Sequence, residues 1–183
     1  MVLKYVATAL TAAMLAAAAA VGATAAEPQR AEAADGVEVK ACGGGRVDLT
    51  AEEKKMLDLH NRARADRNLS RLCVHPDLQR AARAHSKEMI DKDYYRHDSA
   101  NGEEFWQRLK RFGYKNYRIV GENIHGVPKS YSTGEVFGDW MRSSGHKDNI
   151  LNKGYREVGI GARTGNYKGT GNFTMWTVDF GAR

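Results

Sequence analysis

From Thr50 to Met141 the apolar residues recur three and four positions apart in four separate runs, each opened by a residue suited to starting a helix. Thr50 with Glu53 forms the first start signal, a capping box, and Met56, Leu57, His60 and Ala63 make its inward stripe, with an end near Arg67 or Asn68. Pro76 opens the second run, which carries Leu78, Ala81, Ala82, His85 and Met89. A shorter third follows Asn101, with Glu104 completing a cap-like pair, Phe105, Leu109 and Phe112 inward, and Gly113 as terminator. The fourth begins at Ser132 with Glu135, turns Val136, Phe137, Trp140 and Met141 inward, and breaks at Ser143-Ser144-Gly145. Strand chemistry appears at Tyr117–Ile124, at Glu157–Ala162 and at Phe173–Phe180, and the Gly-rich stretch between the last two predicts a hairpin with a long loop. In Glu157–Ala162, Val158 and Ile160 face one way while Gly159 and Gly161 leave the other side bare for close backbone approach. Helices before and between antiparallel strands predict an α+β layered domain.

Composition places one domain on this pattern, since 183 residues with 42% hydrophobic and 27% charged supply a single core. Part of the apolar share lies in Ala7–Ala26, behind Lys4 and ending in small residues at Ala23, Ala25 and Ala26. Residues 1–26 therefore read as a cleaved secretory signal peptide, the alternative being an uncleaved anchor. Alanine is only weakly apolar, which favours cleavage, no stable membrane span and a secreted, extracellular protein. Residues 27–49, with Gly43-Gly44-Gly45 and no evident period, read as an N-terminal linker, and 50–183 as the domain. Export makes Cys42 and Cys73 the only candidates for a disulfide. The formal charge of +6 suits solubility and anionic cell-surface polymers, whereas basic residues interleaved with acids give no nucleic-acid stripe.

The six histidines differ in setting. His60 and His85 sit on apolar helix faces and read as hydrogen-bonded core residues, His75 as an entry-turn residue, and His125 as cavity-lining or merely exposed. His97 and His146 fall in polar loops, where a scaffold can position them for function. Glu122 sits within the apolar run Gly121-Glu122-Asn123-Ile124, so its carboxylate needs a partner. Two imidazoles and one carboxylate, His97, His146 and Glu122, are enough to hold a divalent metal such as Zn²⁺ with one position open, although no local spacing motif ties the three together.

Together, Leu59-His60-Asn61-Arg62, Ala84-His85-Ser86-Lys87-Glu88-Met89, His97, Gly121-Glu122-Asn123-Ile124, Trp140-Met141 with Ser144-Gly145-His146-Lys147-Asp148-Asn149-Ile150, and Val158-Gly159-Ile160-Gly161 resemble the CAP superfamily of cysteine-rich secretory, antigen 5 and pathogenesis-related 1 proteins, in its bacterial branch. The resemblance spans about Thr50 to Phe180 and implies a three-layer α-β-α sandwich with a small central antiparallel sheet. It also implies a cleft with His97, Glu122, His146 and Asn149 at its floor, lipid-like ligands, and in some members a bound divalent metal. Two departures stand out: Asn172 lies where eukaryotic members carry a second histidine, and Arg142 or Ser143 where they carry a second glutamate, which leaves Asp179 as a further polar group.

Two functions follow as expectations. One is a secreted binding module in which aromatics such as Trp106, Tyr131, Phe137 and Trp140 line a groove for a lipid-like or peptide ligand, with plain core packing as the competing role for Phe137 and Trp140. The other is a zinc-dependent hydrolase of an ester or peptide bond.

Overall fold

The computed structural model describes residues 36–183, so the expected signal segment and the start of the expected linker lie outside the described residues. The remainder of that linker is not featureless. Val37–Lys40 (β1) and Arg46–Leu49 (β2) form an antiparallel hairpin around Gly43-Gly44-Gly45, which all take positive φ. A disulfide joins Cys42 in this hairpin to Cys73, Cα to Cα 5.4 Å across a separation of 31 residues, and in the chain-entropy picture such a loop stabilises by about 3 to 4 kcal/mol.

Helix α1 (Ala51–Ala65) starts on the Thr50–Glu53 capping box and ends before Asn68, whose φ of 56° stops the helix short of the expected boundary. The short strand β3 (Cys73–Val74) follows, then α2 (Pro76–Asp91), with proline in its first turn and His75 as the capping residue that accepts from Asp77 N. Helix α3 (Phe105–Arg111) is capped by Glu104 with Gln107 rather than by Asn101, whose side chain instead accepts from Glu103 N. Then come β4 (Ile119–Pro128) and α4 (Thr133–Arg142), the latter on the Ser132–Glu135 box. The Ser143-Ser144-Gly145 break ends α4 and at once starts a further helix, α5 (Ser144–Leu151). Strands β5 (Glu157–Tyr167) and β6 (Thr170–Ala182) run longer than their expected cores. Their hairpin closes tightly at Lys168-Gly169, both at positive φ, instead of through a long loop.

The main sheet has the order β3-β5-β6-β4, with its three long strands antiparallel and only β3 joining parallel to β5. Helices cover both faces, which is the α-β-α sandwich. Val158, Ile160, Trp176, Val178 and Phe180 face α1, α4 and α5 and pack with Met56, Val136, Trp140 and Ile150 in the largest apolar cluster. On the opposite face α2 lies directly on β5, because a Cβ at Gly159 or Gly161 would run into the backbone of Leu78 and Ala82. This is the close approach that the two bare positions predict.

Candidate functional site

Strand β4 ends the sheet, and an open edge leaves backbone groups that need partners. Side chains supply them. The Ile124 carbonyl accepts from Tyr95 Oη and Trp140 Nε1, each at 3.2 Å, and the Glu122 carbonyl accepts from Asn149 Nδ2 at 3.2 Å. The edge thus becomes the spine of a site, with successive residues of β4 turned to opposite faces.

On the α2–α3 side stands Glu122, 6% exposed, with both oxygens taken. His97 Nδ1 lies 2.8 Å from Oε1, and the fully buried Arg108 donates from Nη2 to Oε2. Arg108 is itself held by Nη1 bonds to the His97 carbonyl at 3.0 Å and to Ser99 Oγ at 3.1 Å. Directly across the β4–β6 pair is Asp179, wholly buried. Neither Asp179 oxygen has a hydrogen-bond partner, although Glu122 stands opposite it in the strand register. Burial, opposed by the Arg108 charge, pushes Glu122 up to about 7. Burial and then the Glu122 charge push Asp179 well above the carboxylate range. Two buried acids beside one guanidinium balance charge when they hold one proton between them. With Glu122 ionised, His97 Nδ1 carries the hydrogen and Nε2 remains free. Burial first, and Arg108 second, hold that ring below its ordinary pKa.

On the other face, Asn123 Nδ2 donates to the His146 carbonyl at 3.0 Å, and Asn149 Nδ2 to Asn123 Oδ1 at 2.8 Å. His125 Nε2 meets Asp139 Oδ2 at 3.0 Å, and the His146 ring lies 6.5 Å from that of Trp140. Burial lowers the His146 pKa, with the charges of His125 and His97 adding to the effect. Of the four expected cleft residues, the structure brings His97 and Glu122 into contact and sets Asn149 under the Glu122 backbone, while the His146 ring lies close enough to His97 for its charge to be felt there. Among the described residues no group of three His, Cys, Asp or Glu side chains is arranged to hold a metal ion. As placed, the two oxygens of Glu122 face a guanidinium and an imidazole, while His97 Nε2 is left free.

The four aromatics considered as groove lining do not share one groove. Trp140 is core, Phe137 packs against that core, Trp106 lies under the Lys110 ammonium, and the exposed Tyr131 borders a mainly polar recess at the starts of α1 and α4. A groove of about 300 Å³ opens beside the edge of β4, lined by Tyr95, His125, Gly126, Tyr167, Phe173 and Met175. Gly126 keeps its floor open, since a Cβ there would press on Met175 Sδ at 2.9 Å and Phe173 Cε1 at 3.0 Å. Arg108 gives no advance signal, because it reads as one more cation on a short helix. The pairing of Asp179 with Glu122 needs strand register, which spacing alone does not supply.

The remaining core histidines are as expected. His60 Nδ1 bonds to the Met56 carbonyl at 2.9 Å and His85 Nε2 to the Arg96 carbonyl at 3.0 Å, and burial lowers them to about 4 and about 3. No helix among the described residues is long and apolar enough to cross a membrane.

Comparison with known proteins bears on this arrangement. The Bacillus subtilis protein YkwD is 36% identical over 132 residues, covering 72% of this chain and 48% of YkwD. A B. subtilis membrane protein, YlbC, is 31% identical over 113 residues, 61% of this chain and 32% of its own. The chain thus matches about half or less of the length of these curated relatives. Among solved structures, an extracellular SCP-domain protein of Bacillus anthracis superposes with a TM-score of 0.59 at 26% identity, over 76% of this chain and 47% of that one. An outer surface protein of Borrelia burgdorferi shares the fold, with a TM-score of 0.64 at 18% identity over 81% and 98% of the two chains. Residues 57–180 match the cysteine-rich secretory protein family, and the chain belongs to that CAP family.

Proposed function

We propose that the protein acts outside the cell as a binding module, taking a lipid-like or peptide ligand along the edge of β4. The observation that carries this reading is the groove of Tyr95, Tyr167, Phe173 and Met175 with a single imidazole, His125, at its rim. An apolar trough with one fixed polar group suits a ligand with an apolar body and a hydrogen-bonding end. Asp139 orients that imidazole by holding Nε2. The Cys42–Cys73 disulfide supports an oxidising location, and the B. anthracis and B. burgdorferi proteins of like fold are described as extracellular and outer-surface. Glu122 serves in this reading as a neutralised, structural part of the cleft wall.

Titrating the full chain with a fluorescent long-chain fatty acid and with a tryptophan-rich peptide tests the reading. Saturable binding of one probe, weakened about tenfold or more in Phe173→Ala from the lost apolar contact, is the expected result. Binding of neither probe, or binding indifferent to Phe173→Ala and Tyr95→Ala, contradicts it.

A further inference from the structure

Basic side chains gather at the end of the main sheet where β4 and β5 begin and β6 finishes. Arg118 N donates to the Ala182 carbonyl at 2.8 Å and Arg156 N to the Gly181 carbonyl at 3.0 Å, so the two arginines flank the last residues of β6. Arg156 Nη1 is fixed by the carbonyls of Lys153 at 2.6 Å and Tyr155 at 2.8 Å. On the α3 side, Lys110 and Lys115 line a recess of about 360 Å³ with Asn116 and Tyr117. The Lys110 ammonium is held over the rings of Trp106 and Tyr117, at 4.9 Å and 5.7 Å.

These five cations, Lys110, Lys115, Arg118, Lys153 and Arg156, are exposed, and among the described residues none forms a salt bridge. Elsewhere Arg46, Lys87, Lys92 and Arg142 each hold a carboxylate. Of the acids near this end of the sheet, Glu157 is engaged by Tyr114 and Arg183 and Asp77 by Arg80.

We infer that this end of the sheet docks an extended, phosphate-bearing polyanion. The cations lie on α3 and on the segments leading into β4 and β5, whose starts are about 10 Å apart with β6 between them, so one small anion reaches only one or two of them while a chain of repeated charges reaches all. Nothing here is built to enter a bilayer. The exposed large apolar residues, Val37, Tyr95 and Tyr131, belong to other parts of the molecule, and Trp106 and Tyr117 are half-buried under Lys110.

The test uses the full chain with long-chain inorganic polyphosphate as probe, and with orthophosphate and phosphatidylglycerol vesicles as comparators. Binding should weaken by about tenfold or more when salt is raised from about 50 to about 200 mM, as counterion release requires. The triple variant Lys115→Glu, Arg118→Glu, Lys153→Glu should lose most of that affinity. Lys55→Glu, Arg62→Glu, Arg163→Glu has the same net charge and should retain affinity within about threefold, because all five cations are left in place. Circular dichroism confirms that both variants are folded. Equal losses in the two variants, orthophosphate competing as well as an equal amount of phosphate in chains, or capture by vesicles but not by polyphosphate would each overturn the inference.

Discussion

Thr177 and Asp179 project onto the same face of β6 two residues apart, yet they meet opposite treatment. Around Thr177 every buried polar group is matched. Ser86 Oγ reaches both Thr177 Oγ1 at 2.9 Å and the Gly161 carbonyl at 3.0 Å, and Gln79 spans the N–H and carbonyl of Ile160. Around Asp179 a second acid, Glu122, shares a single guanidinium, and the Asp179 oxygens lack well-formed partners. Matched polar groups fasten α2 to the sheet and stabilise it. Unmatched ones raise the energy of the charged form, so that at the β4 edge a proton changes the balance. Burial of polar side chains therefore does not by itself indicate a site, and incomplete pairing is the more telling property.

The largest test removes the shared cation. Arg108→Gln should destabilise by about 3 to 5 kcal/mol in urea melts near pH 8, since both acids lose their only buried cation, and by clearly less near pH 5, where protons replace it. On the matched side, Gly159→Val forces a side chain into the Leu78 backbone and should cost about 3 kcal/mol, with no such dependence on pH. Ser86→Ala is smaller, about 1 to 2 kcal/mol, because Thr177 and the Gly161 carbonyl lose one bond each.

Asp179→Asn has the smallest effect near pH 5 and differs in sign with pH. Glu122 is raised from 4.5 to about 7, so its contribution is fully present below the ordinary carboxyl value and is lost as pH rises through about 7. His60 and His85 act in the opposite direction: their contribution is present above 6.5 and is lost as pH falls through about 4 and about 3. The wild type should therefore lose stability from pH 5 to 8, and Asp179→Asn should flatten that limb while leaving the acid limb in place.

Local signals carried most of the architecture. Thr50–Glu53, Pro76 and Ser132–Glu135 each set a helix start, and the bare positions 159 and 161 anticipated how α2 lies on β5. The α5 helix was hidden because Ser143-Ser144-Gly145 reads as an ending, while only Ile150 within it is buried. The β1–β2 hairpin was obscured by its four-residue strands and intervening charges, although Val37, Val39, Val47 and Leu49 do alternate around the three glycines. At the site, chemistry singled out His97 and Glu122, but only strand register could set Asp179 against Glu122, and only tertiary packing could bring Arg108 between α3 and β4. Register also turns Asn123 and His125 to the opposite face, where Asn123 holds the His146 carbonyl.

The most direct test of the shared proton is a carbon-13 titration of the Glu122 and Asp179 side-chain carboxyls in the folded full chain. The account predicts that one group of the pair keeps its proton up to about pH 7 in the wild type, and that Glu122 returns toward the ordinary carboxylate range in Asp179→Asn, where the opposing charge is gone. Titration of both wild-type carboxyls near the usual 4 would contradict it.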